Sequence, residues 1–208
     1  MGTWISLGPW FGALATFLAV LVALRLHIKI FPPLLTLKLL STDGEATTVT
    51  ITTQNDGEVV SSRSEQARYY HLRLTNERSW IVATDVGVLL VGIETEDASG
   101  NYVEVWSGSL PVVATHYGVH PTRTLGAAPQ DFDLCSVVRN KWLQLHTLIV
   151  PNNFPYRYRV GKEVRLRLTF QARSLEALSR LFVFELAWDC QWEDDTIKMR
   201  RHMVVKQL

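Results

Sequence analysis

An excess of charge of either sign is missing from this chain of 208 residues. Lys and Arg number 21 against 20 Asp and Glu, which leaves a formal net charge of +1. No global field therefore recruits nucleic acid or an acidic substrate, and we predict no specific nucleic-acid partner. Two cysteines, Cys135 and Cys190, are too few for a disulfide framework and too far apart for a zinc knuckle or a CxxC redox pair. We expect both to be reduced core thiols.

Motifs that name a reaction or a cofactor are also missing. The chain has no G-x-S-x-G elbow, no G-x-x-x-x-G-K-[ST] phosphate loop and no H-E-x-x-H helix. His116, His120 and His146 could supply metal nitrogens, but the first two lie in "THYGVHP", which contains Gly and ends at Pro. We interpret them as solvent-facing loop histidines and predict no metal and no cofactor.

The N-terminal stretch lacks charge. No charged side chain occurs from Met1 to Leu24, and Pro9 to Ile30 as one helix would span ~33 Å, enough for a bilayer core of roughly 30 Å. Pro32 and Pro33 then end the helix. Residues 1–33 are therefore predicted to be a transmembrane anchor.

A cleaved signal peptide is disfavoured because the segment has no basic n-region and no A-x-A site after the apolar run. Basic residues follow the run at Arg25, Lys29 and Lys38, so the positive-inside rule predicts a single-pass inner-membrane protein with its C-terminal domain in the cytoplasm. An exported domain with reversed topology is the alternative. Small residues recur on one helix face and permit anchors to pack, or reflect chance; they are Gly12, Thr16, Ala19 and Ala23.

Residues 34–208 alternate with period two, which is typical of strands with one buried face. In "YYHLRLTN", for example, Tyr70, Leu72 and Leu74 point one way and His71 points the other. About eight or nine strands predict a mainly β fold, an antiparallel immunoglobulin-like sandwich. We expect "QNDGEVVSSRSEQ" to be a loop or mobile insertion and "SLEALSR" to be one short helix. The nearly continuous apolar run "VGVLLVGIE" (Val86 to Glu94) predicts a central strand with both faces covered, or a strand with a bulge at Gly87 or Gly92.

One stretch carries a family resemblance. "YHLRLTNERSWIVATDVGVLL" resembles the strand, Asn turn and Ala-x-x-Val strand pattern of the immunoglobulin-like domains called CARDB, and "WFGALATFLAVLVAL" is similar to anchors of uncharacterised bacterial single-pass proteins with a β-sandwich behind the helix. The resemblance implies topology and assigns no binding or catalytic residue. The tyrosine-corner signature departs from the pattern, because Trp188 stands two residues before Cys190.

Two groups of residues are candidates for binding. A basic group with interleaved tyrosines, in "YRYRVGKEVRLR", could hold phosphate or the anionic inner leaflet, or be ordinary strand surface. A turn-rich segment from Gly126 to Asn153 could form a recognition surface or close the sandwich. The candidate binding residues are Trp142, His146, Arg157, Arg159, Arg165 and Arg167.

The leading functional prediction is a membrane-anchored β-sandwich that binds another membrane or cytoplasmic protein or its own copies, with the lipid bilayer as a further partner. We assign no catalytic residue. The alternative is a hydrolase that uses Asp131, Asp133 and His146, and their convergence in one pocket is the discriminating observation.

The C-terminal stretch "ELAWDCQWEDDTIKMRRH" predicts a terminal β-hairpin. With Asp194 and Asp195 as a two-residue turn, Asp189 would lie opposite Arg200 as an exposed ion pair. A longer loop that keeps this register is the alternative.

Overall fold

The computed structural model describes residues 8–55, 58–115 and 123–208. These residues form two helices and twelve strands: α1 (Gly8–Ile30), β1 (Leu35–Leu39), β2 (Glu45–Asn55), β3 (Glu58–Asn76), β4 (Ala83–Glu96), β5 (Tyr102–Pro111), β6 (Arg123–Leu125), β7 (Gln130–Val138), β8 (Trp142–Leu145), β9 (Arg157–Arg159), β10 (Val164–Arg173), β11 (Leu178–Trp188), α2 (Thr196–Met199) and β12 (Met203–Gln207).

The strands form two antiparallel sheets, which confirms the predicted mainly β fold with a sandwich-like architecture. The first sheet has the order β1-β3-β7-β8-β9, and β2 pairs with the N-terminal part of β3. The second has the order β12-β11-β10-β4-β5, and β6 pairs with β4. One hydrophobic cluster contains buried residues of both sheets, so the sheets share a core.

Period-two alternation places the core residues as predicted. Tyr70, Leu72 and Leu74 of β3 are buried, and β10 and β11 bring Phe170 against Phe184 edge to face, with ring centroids 5.8 Å apart. Each fully buried side chain of this size contributes about 1.5–3 kcal/mol relative to its exposed state. These strands therefore supply much of the stability of the sandwich.

Strand β4 is a central strand, as its apolar sequence predicted. It pairs with β10 on one edge and with β5 and β6 on the other. The register between β4 and β10 shifts at Thr169/Phe170, so that Gly92 and Leu90 take consecutive partners. The predicted bulge thus lies beside Gly92.

The predicted loop from Gln54 to Gln66 is wrong for most of its length. Residues from Glu58 onward continue β3 and pair with β2, from Asn55↔Glu58 to Glu45↔Tyr69. Polar residues satisfy an antiparallel ladder as well as apolar ones when neither face is buried, so composition alone did not indicate the strand. Asp56 and Gly57, between the two strands, lie outside the described residues.

The predicted helix in "SLEALSR" is also wrong. Ser174 accepts hydrogen bonds through its hydroxyl from the backbone N–H groups of Glu176 and Ala177, and its own N–H donates to the Ala177 carbonyl at 2.7 Å. These bonds close a tight turn in which Leu178 already pairs with Arg173. A serine that can cap a helix can equally close a turn, and strand pairing decides the outcome.

The C-terminal hairpin has a different register from the one predicted. Trp188 pairs with Met203, and the connection contains α2, whose N-cap Asp195 accepts from the Lys198 N–H at 2.9 Å. Asp189 bonds His202, not Arg200, and Arg200 forms a bidentate ion pair with Asp43. The capping carboxylate favours a helical turn over the glycine-free two-residue hairpin.

No helix among the described residues is long and apolar enough to span a membrane.

The sandwich has two ends, which we name by their position in space relative to the linker after α1: the proximal end adjoins this linker, and the distal end is the opposite one. At the proximal end, the linker after α1 meets the end of β3, where the Leu34 N–H donates to Asn76 Oδ1 at 3.1 Å. At the distal end, β4 leads into the turn at residues 97–100, and β10 begins. The 14 residues of β4 separate the ends by about 45 Å.

Candidate functional site

The outer face of the first sheet carries a buried histidine–carboxylate pair. Alternation along β3 points His71 away from the core, and a register shift between Tyr70 and His71 sets Asp133 of β7 directly opposite. His71 Nδ1 lies 2.9 Å from Asp133 Oδ1. A β-bulge of this kind re-aims a side chain locally, and here it lets the imidazole reach the carboxylate.

Thr115 contacts both His71 and Asp133, and a cavity adjoins all three residues. Thr115 donates through Oγ1 to Asp133 Oδ1, and its hydroxyl lies 3.2 Å from His71 Nδ1. The pair lines a cavity of about 300 Å³, whose other walls include Tyr69 and Glu45. His71 Nε2 is buried and has no hydrogen-bond partner among residues 8–55, 58–115 and 123–208; a carboxylate oxygen of Glu45 lies 3.5 Å from it.

The two partners shift each other's pKa in opposite directions. The hydrogen bond to Asp133 is the largest influence on His71 and raises the pKa of its imidazole, although burial opposes it. Burial would raise the pKa of Asp133, but the hydrogen bonds from His71 and Thr115 and the imidazolium charge outweigh it and lower that pKa. The geometry therefore favours an ion pair.

His146 belongs to a neighbouring cluster. Its Nε2 lies 2.8 Å from Ser136 Oγ, and its ring stacks on Tyr69 at a centroid distance of 5.1 Å. Burial lowers the pKa of His146, so the neutral imidazole is favoured. Tyr69 thus lies between His146, whose pKa is lowered, and His71, whose pKa is raised.

The predicted hydrolase residues do not form one constellation. Asp131 forms a bidentate ion pair with Arg73, at 2.8 and 2.9 Å. Asp133 bonds His71, and His146 bonds Ser136. Of the three predicted residues, Asp133 alone lines the cavity beside His71.

The predicted binding residues fall into separate groups. On the edge of the first sheet, the Arg157 guanidinium lies 4.4 Å from the Trp142 ring centroid and donates twice to Gln144 Oε1. This is a cation–π contact next to a charge-assisted hydrogen bond. Arg159 pairs in register with Trp142 on the same edge.

Arg165 and Arg167 lie on the second sheet and have acidic partners. Arg165 bonds Glu163 at 2.7 Å, and Arg167 lies within 3.8 Å of carboxylates on both neighbouring strands, Glu94 and Glu185. A cavity of about 510 Å³ at the distal end is lined by both Arg159 and Arg165, yet Glu96, Asp97 and Glu163 line it too. The predicted basic face is therefore neutralised where the two sheets meet.

Of the three histidines that we considered as metal ligands, His146 lies in the described part of the chain. His116 and His120 lie outside the described residues. Within residues 8–55, 58–115 and 123–208, no group of three or more His, Cys, Asp or Glu side chains could hold a metal ion. Cys135 is buried and free, and burial raises the pKa of its thiol.

The chain matches no protein-family model, no curated protein and no solved structure. The resemblance to CARDB domains therefore stays a prediction.

Sequence reasoning missed His71 and Thr115 as neighbours of Asp133. Alternation did place His71 on the outer face, as predicted. No pattern in the sequence set the register of β3 against β7 or brought residue 115 alongside, because both depend on pairing between strands distant in the chain.

Proposed function

We propose that the chain is a single-pass membrane-anchored β-sandwich that binds a partner protein at the cytoplasmic face of the membrane. The anchor is the apolar segment of residues 1–33. The structure supports it through large apolar side chains of α1 that are 43–60% exposed: Leu14, Phe17, Leu18, Val20, Leu21 and Val22. Exposed apolar side chains of this kind mark a contact with a membrane or with another protein, and our proposal assigns them to a bilayer.

The proposed cytoplasmic orientation rests on Arg25, Lys29 and Lys38, the first basic residues after the uncharged stretch that ends at Leu24. The likeness to immunoglobulin-like domains belongs to this proposal at the level of architecture, because two antiparallel sheets share one core. A cysteine added after Leu208 tests the orientation. In spheroplasts it should resist a membrane-impermeant maleimide, whereas labelling would indicate an exported domain.

Partner binding is supported by one observation, a two-stranded arm. The arm consists of residues 49–55 of β2 and 58–65 of β3, which lie beyond Ala67, the last β3 residue paired with β7. Its described side chains are mostly exposed and polar, and Val60 is 65% exposed. Among the described strands, β2 pairs with β3 alone, so the edge of β2 that faces away from β3 is open.

An open edge offers unpaired backbone N–H and C=O groups to a strand of another chain. The arm buries little surface of its own, so its length is explained better by contact with a partner than by stabilisation of the sandwich. We therefore place the partner-binding surface on β2.

The anchor is tested by removal of residues 1–30. The remaining chain should stay in the soluble fraction with a β-type circular dichroism spectrum, because the core residues all follow Pro33. The full chain should sediment with membranes and resist alkaline extraction. Extraction of the full chain by alkali would contradict the anchor.

The arm is tested by a photocrosslinking residue at Thr50, with Asn101, an exposed residue of the β4–β5 turn, as the matched control. We expect a discrete adduct from Thr50 and none from Asn101. Ile51→Pro should remove the adduct because proline blocks strand pairing, while the melting temperature of the sandwich stays within a few degrees. Mass spectrometry then separates a foreign partner from a second copy.

Self-association through α1 has a separate test. The Thr16 hydroxyl donates to the Gly12 carbonyl within the helix at 2.9 Å, so its polar group is already satisfied. The small side chains on this face then allow a second helix to approach closely. Gly12→Leu or Ala19→Leu should weaken in-membrane crosslinking, and Leu14→Ile should not. Equal crosslinking in all three would remove this face from the proposal.

A second candidate function, hydrolysis, is favoured by one specific observation. Asp133 orients His71 through Nδ1, and Nε2 lies beside the cavity without a hydrogen-bond partner in the described part of the chain. Above the raised pKa of His71, where the imidazole is neutral, this is the arrangement of a general base. Asp133 and His71 would replace the predicted trio. Hydrolysis of a panel of aryl esters that is lost in His71→Gln and kept in His146→Gln would support this function.

A further inference from the structure

Four large apolar side chains are exposed together at the proximal end. Trp80 and Val82 belong to the loop between β3 and β4, Leu175 to the turn between β10 and β11, and Leu178 is the first residue of β11; their exposed fractions are 68%, 50%, 74% and 68%. We call these four residues the proximal rim. Single exposed apolar residues need no explanation, but four on adjoining loops mark a contact surface.

The two loops of the proximal rim are fastened to each other. The Leu175 N–H donates to the Thr84 carbonyl at 2.9 Å. In return, the Glu176 carboxylate accepts from the Thr84 N–H at 3.0 Å and from the Thr84 hydroxyl. The rim therefore forms one surface across two connections of the sandwich.

The rim is also fastened to the chain that leaves α1. Arg78 Nη1 donates to the Pro32 carbonyl at 2.8 Å, and the Glu77 N–H donates to the Leu34 carbonyl at 2.9 Å. Asn76 links both sides, because its Oδ1 accepts from the N–H groups of Leu34 and Arg78. A bilayer that holds α1 must consequently lie next to the rim.

The chemistry of the rim matches the membrane interface. Tryptophan is enriched at the headgroup level, and leucines at a turn tip can enter the acyl boundary. Arg173 and Arg180 flank the β10–β11 turn and are exposed, as expected for contacts with anionic headgroups. Of the acidic neighbours, Glu176 is bonded to Thr84 and Glu77 lies 3.9 Å from Lys38, while Asp85 is exposed.

We propose that the proximal rim is a second membrane contact, which inserts Trp80, Val82, Leu175 and Leu178 into the interface of the same leaflet from which α1 emerges. This contact rests on the proposed anchor and adds to it. The rim holds the sandwich against the bilayer in one orientation. The arm, on the far part of β3, then points away from the membrane toward its partner.

The test uses the full chain in vesicles of mixed phosphatidylcholine and phosphatidylglycerol, with a polarity-sensitive fluorophore on one introduced cysteine. Cys135 is buried, and Cys190 is replaced by serine so that it does not react. The labelled positions are Leu175→Cys on the rim, Ser99→Cys on the exposed distal turn as matched control, and Leu18→Cys in α1. Quenching is measured with shallow spin-labelled lipid at positions 175 and 99, with deep spin-labelled lipid at position 18, and with aqueous iodide at all three.

At position 175 we expect about twofold quenching by the spin-labelled lipid and protection from iodide; at position 99 we expect the reverse. Position 18 should be quenched by lipid whether or not the rim binds. In Arg173→Gln/Arg180→Gln, lipid quenching at 175 should fall, and pure phosphatidylcholine should have the same effect.

The outcomes separate the two proposals. Lipid quenching at position 18 without quenching at 175 overturns the rim contact and leaves the anchor intact. No lipid quenching at position 18 overturns the anchor itself. Protection of position 175 from iodide without lipid quenching would indicate that protein covers the rim, which also overturns the proposal.

Discussion

The two ends of the sandwich are closed by different side chains of the same strand. Arg68 and Asn76 both lie on the inner face of β3, on either side of the buried Tyr70, Leu72 and Leu74. At the proximal end, Asn76 donates to the Ile81 carbonyl at 2.5 Å and accepts from Leu34 and Arg78. A neutral amide thus ties the linker from α1 to the loop after β3.

At the distal end the closing group is a buried cation. The Arg68 guanidinium donates to the Asp194 carbonyl at 2.7 Å and to the Thr196 hydroxyl at 3.2 Å, and it lies 5.9 Å from the Trp192 ring centroid. These partners belong to the connection between β11 and β12. Arg68 therefore couples β3 of the first sheet to the β11–β12 connection of the second sheet. Asn76 instead couples the linker after α1 to the loop after β3.

The contrast explains why the ends differ in surface as well as in closure. The distal end is built from charged groups, including Asp43 with Arg200 and Glu163 with Arg165, which suit an aqueous surface. The proximal end exposes the apolar rim, and its buried polar side chain is the uncharged Asn76, while Arg78 and Glu176 bond backbone groups nearer the surface. An end that is proposed to meet a bilayer should avoid fully buried charge, and no charged side chain described at this end is buried.

The largest expected effect comes from the core that joins both ends. Phe184→Ala should lower the free energy of unfolding by about 3–5 kcal/mol, because Phe184 is fully buried against Phe170. Leu181→Ala on the same strand is the matched control, since Leu181 is 55% exposed and should change stability little. Urea denaturation measures both; a loss below about 1 kcal/mol for Phe184→Ala would mean that the sheets do not share this core.

Next in size is the distal closure. Arg68→Met should destabilise the domain by about 3 kcal/mol, because the Asp194 carbonyl and the Thr196 hydroxyl lose the charged donor of the buried Arg68. Arg63→Met, on the exposed arm, controls for loss of charge. If Arg68→Met proves neutral or stabilising, packing rather than hydrogen bonding closes the distal end.

Removal of the Asn76 side chain at the proximal end should lower the free energy of unfolding by less than removal of Arg68 does. Asn76→Ala removes one donor and one acceptor from a neutral network, and we expect a loss of about 2 kcal/mol. Amide hydrogen exchange should accelerate in residues 77–82 and stay unchanged in residues 97–100. Exchange that accelerates equally at both ends would show that Asn76 does not act locally.

The smallest effect is a pH dependence midway between the ends, at His71 and Asp133. The raised pKa of His71 means that its stabilisation is complete below 6.5 and is lost as pH rises through the folded pKa. The lowered pKa of Asp133 means that its stabilisation is present above 3.8 and is lost as pH falls through the folded pKa. The pair therefore contributes most between these two values.

Melting curves of wild type and His71→Gln across this range measure that contribution. The wild-type advantage should reach roughly 1 kcal/mol between the two values and shrink above pH 6.5. His146 destabilises the fold as pH falls below 6.5, because burial lowers its pKa; the His71 charge adds to this lowering, so His71→Gln removes a part of it. Glu45 and Asp131, which also act on His71, are common to both proteins. An advantage independent of pH would show that the ion pair does not form.

Local pattern was enough to predict the layers of this protein. Alternation in β3, β10 and β11 identified which side chains enter the core, because a strand shows its two faces with period two whatever it pairs with. The nearly continuous apolar run of β4 indicated a central strand, because a strand with both faces covered is apolar throughout. The turn at Ser174 and the connection after Trp188 were predicted wrongly, since their capping groups fit helix and turn equally well until strand pairing selects one.

Tertiary structure alone decided the site and the rim. His71 meets Asp133 because a register shift between β3 and β7 aligns them, and register depends on the whole sheet. Trp80 and Leu175 are far apart in sequence, yet they share a surface because Thr84 binds the β10–β11 turn. Sequence determined which way each strand faces; only the pairing of distant strands, driven by burial of the common core, determined which outward groups became neighbours.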